Sequence, residues 1–222
     1  GFYNSLFYTL VGTLINVVMT ILAAYPLSRP ELPGRRIIAF AFFFTLLFSG
    51  GLIPTYLVVR DLDMLSTRWA MILPTALSVW NVFIARTFFE NTIPKELREA
   101  AELDGCDDFN FLGRIVLPLS GSLLAVLALF YAVGHWNSYF NALVYLYDQS
   151  LWPLQLVLRD ILVQNQVDPG MLVDAREMAA KAQLREILKY SLIVVATVPL
   201  LIVYPFVQKH FVKGVMLGSV KG

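Results

Sequence analysis

AFAFFFTLL, residues Ala39–Leu47, holds one hydroxyl and no other polar side chain. A helix on the surface of a soluble bundle turns a polar face to water every 3.6 residues. This stretch has no such face. It sits inside a longer run, Ile37–Val59, that carries no Asp, Glu, Lys or Arg. A helix crossing the hydrocarbon core of a bilayer needs about 20 apolar residues, range roughly 17–25. Ile37–Val59 meets that length and predicts a transmembrane helix.

Working outward, Ser5–Ser28, Trp69–Ala85, Ile115–Tyr147 and Tyr190–Gln208 are also free of Asp, Glu, Lys and Arg. Ile115–Tyr147 is too long for one straight span, so part of it is expected outside the core. The pattern predicts an all-α, polytopic transmembrane bundle with spans at about 5–28, 37–59, 69–89, 119–143 and 187–207. Composition agrees: 58% of the 222 residues are hydrophobic, against roughly 45–50% in soluble domains. The chain starts at Gly1 with a span close behind it, which suggests a preceding span that is missing. A net charge of +1 gives no reason to expect a nucleic-acid partner. Cys106 is the one cysteine, so no intrachain disulfide can form.

Lys and Arg in short loops mark the cytoplasmic side. Placing Arg29, Arg35 and Arg36 inside and alternating from there puts Arg86, Lys95, Arg98 and Arg114 inside as well. The segment 90–118 and the tail 208–222 are then cytoplasmic, and 148–186 is an outer loop.

Segment 90–118 is the most polar on the inner side. Pro94 suits the first turn of a helix, with Asn91 or Thr92 near its cap. Lys95–Leu103 are strong helix formers, and Gly105 can take the left-handed conformation that ends a helix. Asp107 or Asp108 can cap a second helix running toward Pro118. Leu97, Ala100, Ala101 and Asp104 are expected on one face, small-sided and flanked by Glu99 and Glu102. Helices that lie on a bilayer pair basic with bulky apolar residues. Alanines and acids suit contact with another protein instead.

Glu99-Ala100-Ala101, Gly105, Ile115 and Leu117-Pro118, at these spacings, resemble the EAA motif of ATP-binding-cassette importer permeases. The segment His135–Leu146 and the ending Pro205–Gly222 are similar to those of carbohydrate permeases related to the smaller maltose permease. GGLIPTYLVVRDLDML (Gly50–Leu65) is similar to permeases for oligosaccharides of alginate or uronate-containing chains. The resemblance covers essentially the whole chain, but such permeases have one more span, at the N-terminus. It implies a bacterial cytoplasmic-membrane protein importing a sugar or oligosaccharide by alternating access, its C-terminus cytoplasmic. It implies docking of an ATPase on coupling helices through Glu99, Ala100, Ala101, Leu103, Asp104, Gly105, Leu117 and Pro118. It further implies a second homologous permease, an extracytoplasmic solute-binding protein reached by the outer loop, and a tail inserted between ATPase subunits. Alternatives are a permease for a non-sugar solute and an ion-coupled secondary transporter.

The chain contains no G-x-x-x-x-G-K-[ST] phosphate loop. ATP and magnesium are therefore expected on the partner ATPase, with no catalytic or metal site here. The spans also lack the buried acids that ion-coupled transporters use. His135 is the ionisable residue well inside a span, about 16 residues into the fourth and nearer the outer face. Tyr131, His135 and Tyr139 are spaced to share a helical face. Asn137, Ser138 and Asn141 add polar groups, and Asn16, Ser78 and Asn81 lie on other spans. Aromatic rings with a few placed polar groups suit a sugar. The same groups also suit hydrogen bonding between helices.

Overall fold

The computed structural model describes residues 1–164 and, beyond them, positions 187, 190, 191, 193–199, 201 and 202. Every regular element among the described residues is helical. The longest, α1 (Phe2–Ser28), has 27 residues and is about 40 Å long at 1.5 Å per residue. Its buried side carries Tyr8, Gly12, Asn16, Thr20, Ala24 and Ser28 at strict four-residue spacing. Its exposed side carries Leu6, Leu10, Leu14, Val18 and Leu22. Small and polar residues inside with leucines outside invert the soluble pattern, as expected where lipid is the solvent.

α2 (Arg35–Leu47) and α3 (Leu52–Asp61) share the run that predicts one span. They meet at 113°, which corrects the single straight span at 37–59. The break holds Gly50 and Gly51. Gly51 has φ +82, a conformation side chains with a Cβ avoid. The third span is also broken. α4 (Trp69–Ile72) runs into a 3-10 turn, Leu73–Thr75. α5 (Val79–Thr92) then departs at 52°. Pro74 removes a backbone donor and crowds the preceding turn, and Ser78 caps α5.

After α5 come α6 (Lys95–Leu103), α7 (Asp108–Phe111), a π turn at Leu112–Val116 and α8 (Leu117–Leu119). α9 (Gly121–Trp136) follows, bent 83° from the helical stretch before it. It stops well short of 143, the expected end of the fourth span. Asn137 Nδ2 donates to Val133 O at 2.9 Å and Ser138 Oγ donates to His135 O at 3.0 Å. Asn137 N still completes the helical bond to Val133 O at 3.1 Å, but Ser138 N turns to His135 O at 3.2 Å, the carbonyl that residue 139 of a continuing helix would use. α10 (Phe140–Tyr145), a 3-10 turn at Gln149–Leu151 and α11 (Leu154–Gln164) complete the order.

Among the described residues one helix, α1, is by length and composition long and apolar enough to cross a bilayer unbroken, and three bent pairs reach the length only together. α1 packs along α9 and α5, which gather around it. One core lies at the end bearing Arg29, from Ile21, Tyr25, Val82, Phe89, Leu112 and Leu127. A second lies at the other end, from Tyr8, Met71, Ile72, Ala142 and Leu156. At that end Asn4 Nδ2 donates to Ser150 O at 2.7 Å, Tyr8 OH to Leu151 O at 2.8 Å, and Leu154 N to Ser5 Oγ at 2.8 Å. Trp136 Nε1 reaches Ala196 O at 3.0 Å. Most of the outer loop, part of the span expected at 187–207 and the tail 208–222 lie outside the described residues.

Candidate functional site

Two polar assemblies stand out, one at the Arg29 end and one inside the bundle. The first is built on α6. Ile93 and Pro94 are extended, so α5 ends at Thr92 and Pro94 itself occupies the N-cap. Asn91 and Thr92 therefore belong to α5 and do not cap α6. Glu96 sits in the first turn, where it complements the helix dipole. At the other end Cys106 N bonds to Ala101 O at 2.9 Å and Gly105 N to Glu102 O at 3.0 Å. That paired closure is the Schellman motif, and it requires a left-handed residue. Gly105 supplies it with φ +74. Asp107 Oδ1 accepts from Asn110 N at 2.8 Å and starts α7. The expected helix, glycine turn, helix is present.

The faces differ from expectation. Ala101 is 8% exposed and joins the core with Phe89 and Leu112, so it does not share an outward face with Ala100. Leu117 also packs against that core, while Pro118 stays exposed. The outward surface is Glu99, Ala100, Leu103, Asp104 and Gly105. Leu103 is 90% exposed, and Phe109, which the sequence pattern did not single out, is 79% exposed. Its signal was available: position 109 lies in the first turn after the Asp107 cap.

Behind this surface lie arginines that join near and distant parts of the chain. The Arg98 guanidinium contacts Glu31 at 2.6 Å and Glu102 at 2.7 Å. Its hydrogen bond to Glu31 holds that carboxyl below the usual carboxylate range. Arg29 pairs with Asp108 at 3.5 Å and hydrogen-bonds the Tyr25 hydroxyl. It also lies over the rings of Tyr25 at 4.5 Å and Phe111 at 5.2 Å. Arg35 and Arg86 both hold Glu90, the latter at 3.0 Å. A cavity of about 430 Å³ opens among Tyr25, Arg29, Glu31, Arg98, Asp108 and Phe109.

The second assembly joins α1, α9 and the break between α4 and α5. Asn16, 1% exposed, donates from Nδ2 to Thr75 O. Its Oδ1 therefore accepts, and His135 Nε2 at 2.8 Å donates to it. Thr20 Oγ1 and Tyr131 OH lie 2.6 Å apart, and Tyr131 OH accepts from Ser78 N at 3.2 Å. Backbone groups freed by the break at Leu73–Leu77 thus find side-chain partners, as they must away from water. A Cβ on Gly12 would stand 2.5 Å from His135 Nε2, so α1 admits the imidazole only because position 12 is glycine.

Of the residues marked for a sugar path, Tyr131 and His135 come together, but facing Thr20 and Asn16. Tyr139 does not share their face: α9 ends at Trp136, and Tyr139, 45% exposed, is the N-cap of α10. Asn137 is folded onto Val133. Asn81 is buried at 6% exposure beside the Ser78 cap, and Asn141 is half-buried. The His135 ring meets Gly12 and Asn16, near the middle of α1.

A scan against protein-family profiles finds no match. Among curated proteins the chain is 49% identical over 219 residues to the polygalacturonan/rhamnogalacturonan transport permease YtcP of Bacillus subtilis, covering 98% of this chain and 75% of that one. It is 45% identical to Protein LplC of the same organism, over 98% of this chain and 72% of that one. It is 27% identical to the arabinooligosaccharide permease AraQ of Halalkalibacterium halodurans, over 100% of this chain and 74% of that one. In structure it resembles a bacterial ABC transporter involved in import of the acidic polysaccharide alginate. The TM-score is 0.82 at 33% identity, covering 95% of this chain and 74% of that one. With relatives this similar along nearly its whole length, the chain belongs to the helical membrane permeases of ATP-binding-cassette sugar-transport systems, and is a transport subunit rather than an enzyme.

Proposed function

We propose that this chain imports an acidic, uronate-containing oligosaccharide across the cytoplasmic membrane, with ATP hydrolysed by separate subunits docked on α6 and α7. The observation that carries the docking is the outward surface of Glu99, Ala100, Leu103 and Phe109 on a short helix stopped by Gly105. An exposed leucine and phenylalanine beside acids offer apolar anchors within a charged rim, the composition of a protein interface. Ala101 supports this surface from inside. The acidic substrate class rests on the names of YtcP and the alginate importer.

In this reading the Arg29 end and the tail 208–222 face the cytoplasm, and the Asn4–Ser150 end faces out. A second permease completes the path, and a solute-binding protein delivers the sugar to the outer loop 148–186. ATP binding draws α6 and α7 inward, and the bundle alternates between inward-open and outward-open states a few kcal/mol apart. The path runs past Tyr139 and Asn141, while Asn81, Tyr131 and His135 hold its wall. A phosphorylated solute is the second reading, because the sn-glycerol-3-phosphate permease UgpE of Brucella abortus is 29% identical over 96% of this chain.

The test is co-purification and uptake of labelled trigalacturonate by the assembled transporter. Leu103→Arg and Glu99→Arg are expected to release the ATPase and abolish uptake while the chain stays inserted. Normal ATPase recovery and uptake in both variants would end the docking proposal. Uptake of glycerol phosphate in place of the uronate would select the second reading.

A further inference from the structure

Helix α6 packs only sparsely on the rest of the bundle among the described residues. Ala101 is its one buried side chain. Its other firm attachment is Arg98, which reaches across to Glu31 at 2.6 Å while Glu102, one turn on, holds the same guanidinium at 2.7 Å. The Arg98 side chain is 20% exposed and the two carboxylates 58% and 54%. Glu31 lies three residues beyond the end of α1. Next to it Arg29 ties the same end of α1 to Asp108, the first residue of α7. Both helices flanking the Gly105 turn are thus tied to one point, the C-terminal end of α1. α1 is the helix around which α5 and α9 are packed.

A force on α6 can move α1, or it can be absorbed by rotation about Pro94 and Gly105. One buried alanine is a pivot, because a single contact leaves a helix free to turn. A second attachment at Arg98, one turn from Ala101 on the helix, removes that freedom. We infer that Arg98 is a positioning residue: its bridge to Glu31 fixes the angle of α6 against α1 and delivers displacement of α6 to the bundle. Arg98 touches neither ATP nor sugar. This rests on the docking of an ATPase on α6 proposed above.

The test uses the whole transporter, in proteoliposomes with ATP and labelled trigalacturonate. Arg98→Ala and Glu31→Ala are expected to keep the co-purified ATPase and its hydrolysis near the parent level. Sugar imported per ATP is expected to fall about threefold to tenfold, the size of typical coupling effects. The charge swap Arg98→Glu with Glu31→Arg is expected to restore most of it, which a merely structural role would not do. Spin labels on Glu96→Cys and Arg36→Cys in a Cys106→Ser background report the α6 angle without any sugar. Their distance distribution is expected to be narrow and insensitive to ATP, broad in Arg98→Ala, and narrow again in the swap. An unchanged ratio of sugar to ATP in the single variants, an unbroadened distribution, or a swap without recovery would overturn the inference. Loss of ATPase from the Arg98→Ala complex would also overturn it, because Arg98 would then be a docking residue. Failure of the docking proposal shows separately, as retained ATPase in Leu103→Arg.

Discussion

The imidazole of His135 occupies the space a Cβ on Gly12 would need, with a hypothetical contact of 2.5 Å. Gly12→Ala should therefore push the ring away from Asn16, costing about 1–3 kcal/mol as overpacking does. His135→Ala should cost a similar amount, about 1–3 kcal/mol, by leaving the buried Asn16 oxygen unpaired. The double variant should lose less than the sum, because the clash is gone once the ring is gone. Thermal inactivation of the purified complex measures all three. At the Arg29 end, the Glu31 carboxyl is held low by Arg98. A depressed carboxyl contributes stability above its unfolded pKa and loses it as pH falls through the folded value. The Arg98–Glu31 coupling in a double-mutant cycle should then be present at pH 7 and be lost as pH falls through the depressed value of the Glu31 carboxyl. Coupling that does not weaken at all on acidification would mean the contact is not ionic. Sequence spacing marked His135 and Tyr131 as unusual, because a polar group in a long apolar run is expensive. It could not name Gly12, Thr20 or Glu31 as their counterparts or as the loop's anchor. Those partnerships depend on which helices are neighbours.

Within the segment 95–119, the punctuation residues predicted the elements and packing decided their faces. The stop at Gly105 was legible because a left-handed residue after strong helix formers has few other uses. The inward turn of Ala101 was not, since alanine suits both a core and a surface. A Cβ at Gly105 would meet nothing within 4 Å, so substitution there costs backbone strain alone. Gly105→Ala should lose about 1–2 kcal/mol at this turn, and Gly105→Asn less, because asparagine tolerates the left-handed region. Uptake should follow the order Gly, Asn, Ala, Val. Equal uptake by Val would show that the turn is not needed. Pro74 and the Gly50–Gly51 pair were visible as breakers, yet length counting passed over them. Apolar runs report what the bilayer accepts. They do not report whether the backbone inside them is straight.

Across the molecule, apolar surface is arranged for a solvent other than water. No residue of α2 is buried, and Ile37, Phe40 and Phe48 are 75%, 66% and 64% exposed. Phe40→Lys should lower insertion by about 2–3 kcal/mol if it sits at membrane depth. The same change at Leu103 should leave insertion untouched. Comparing membrane-inserted yields of the two separates bilayer-facing from loop surface. The fold class was legible at this scale because the lack of polar faces is a property of whole segments. The core clusters were not, since leucines outside and small polar residues inside reverse the usual cue. The contact between Gly12 and His135 also restricts how the bundle can move. Sliding α1 along α9 by one turn would bring Tyr8 or Asn16 under the imidazole, where no recess exists. Axial travel between the two helices is therefore blocked, and they can only tilt or rotate together, like two planks joined by a dowel.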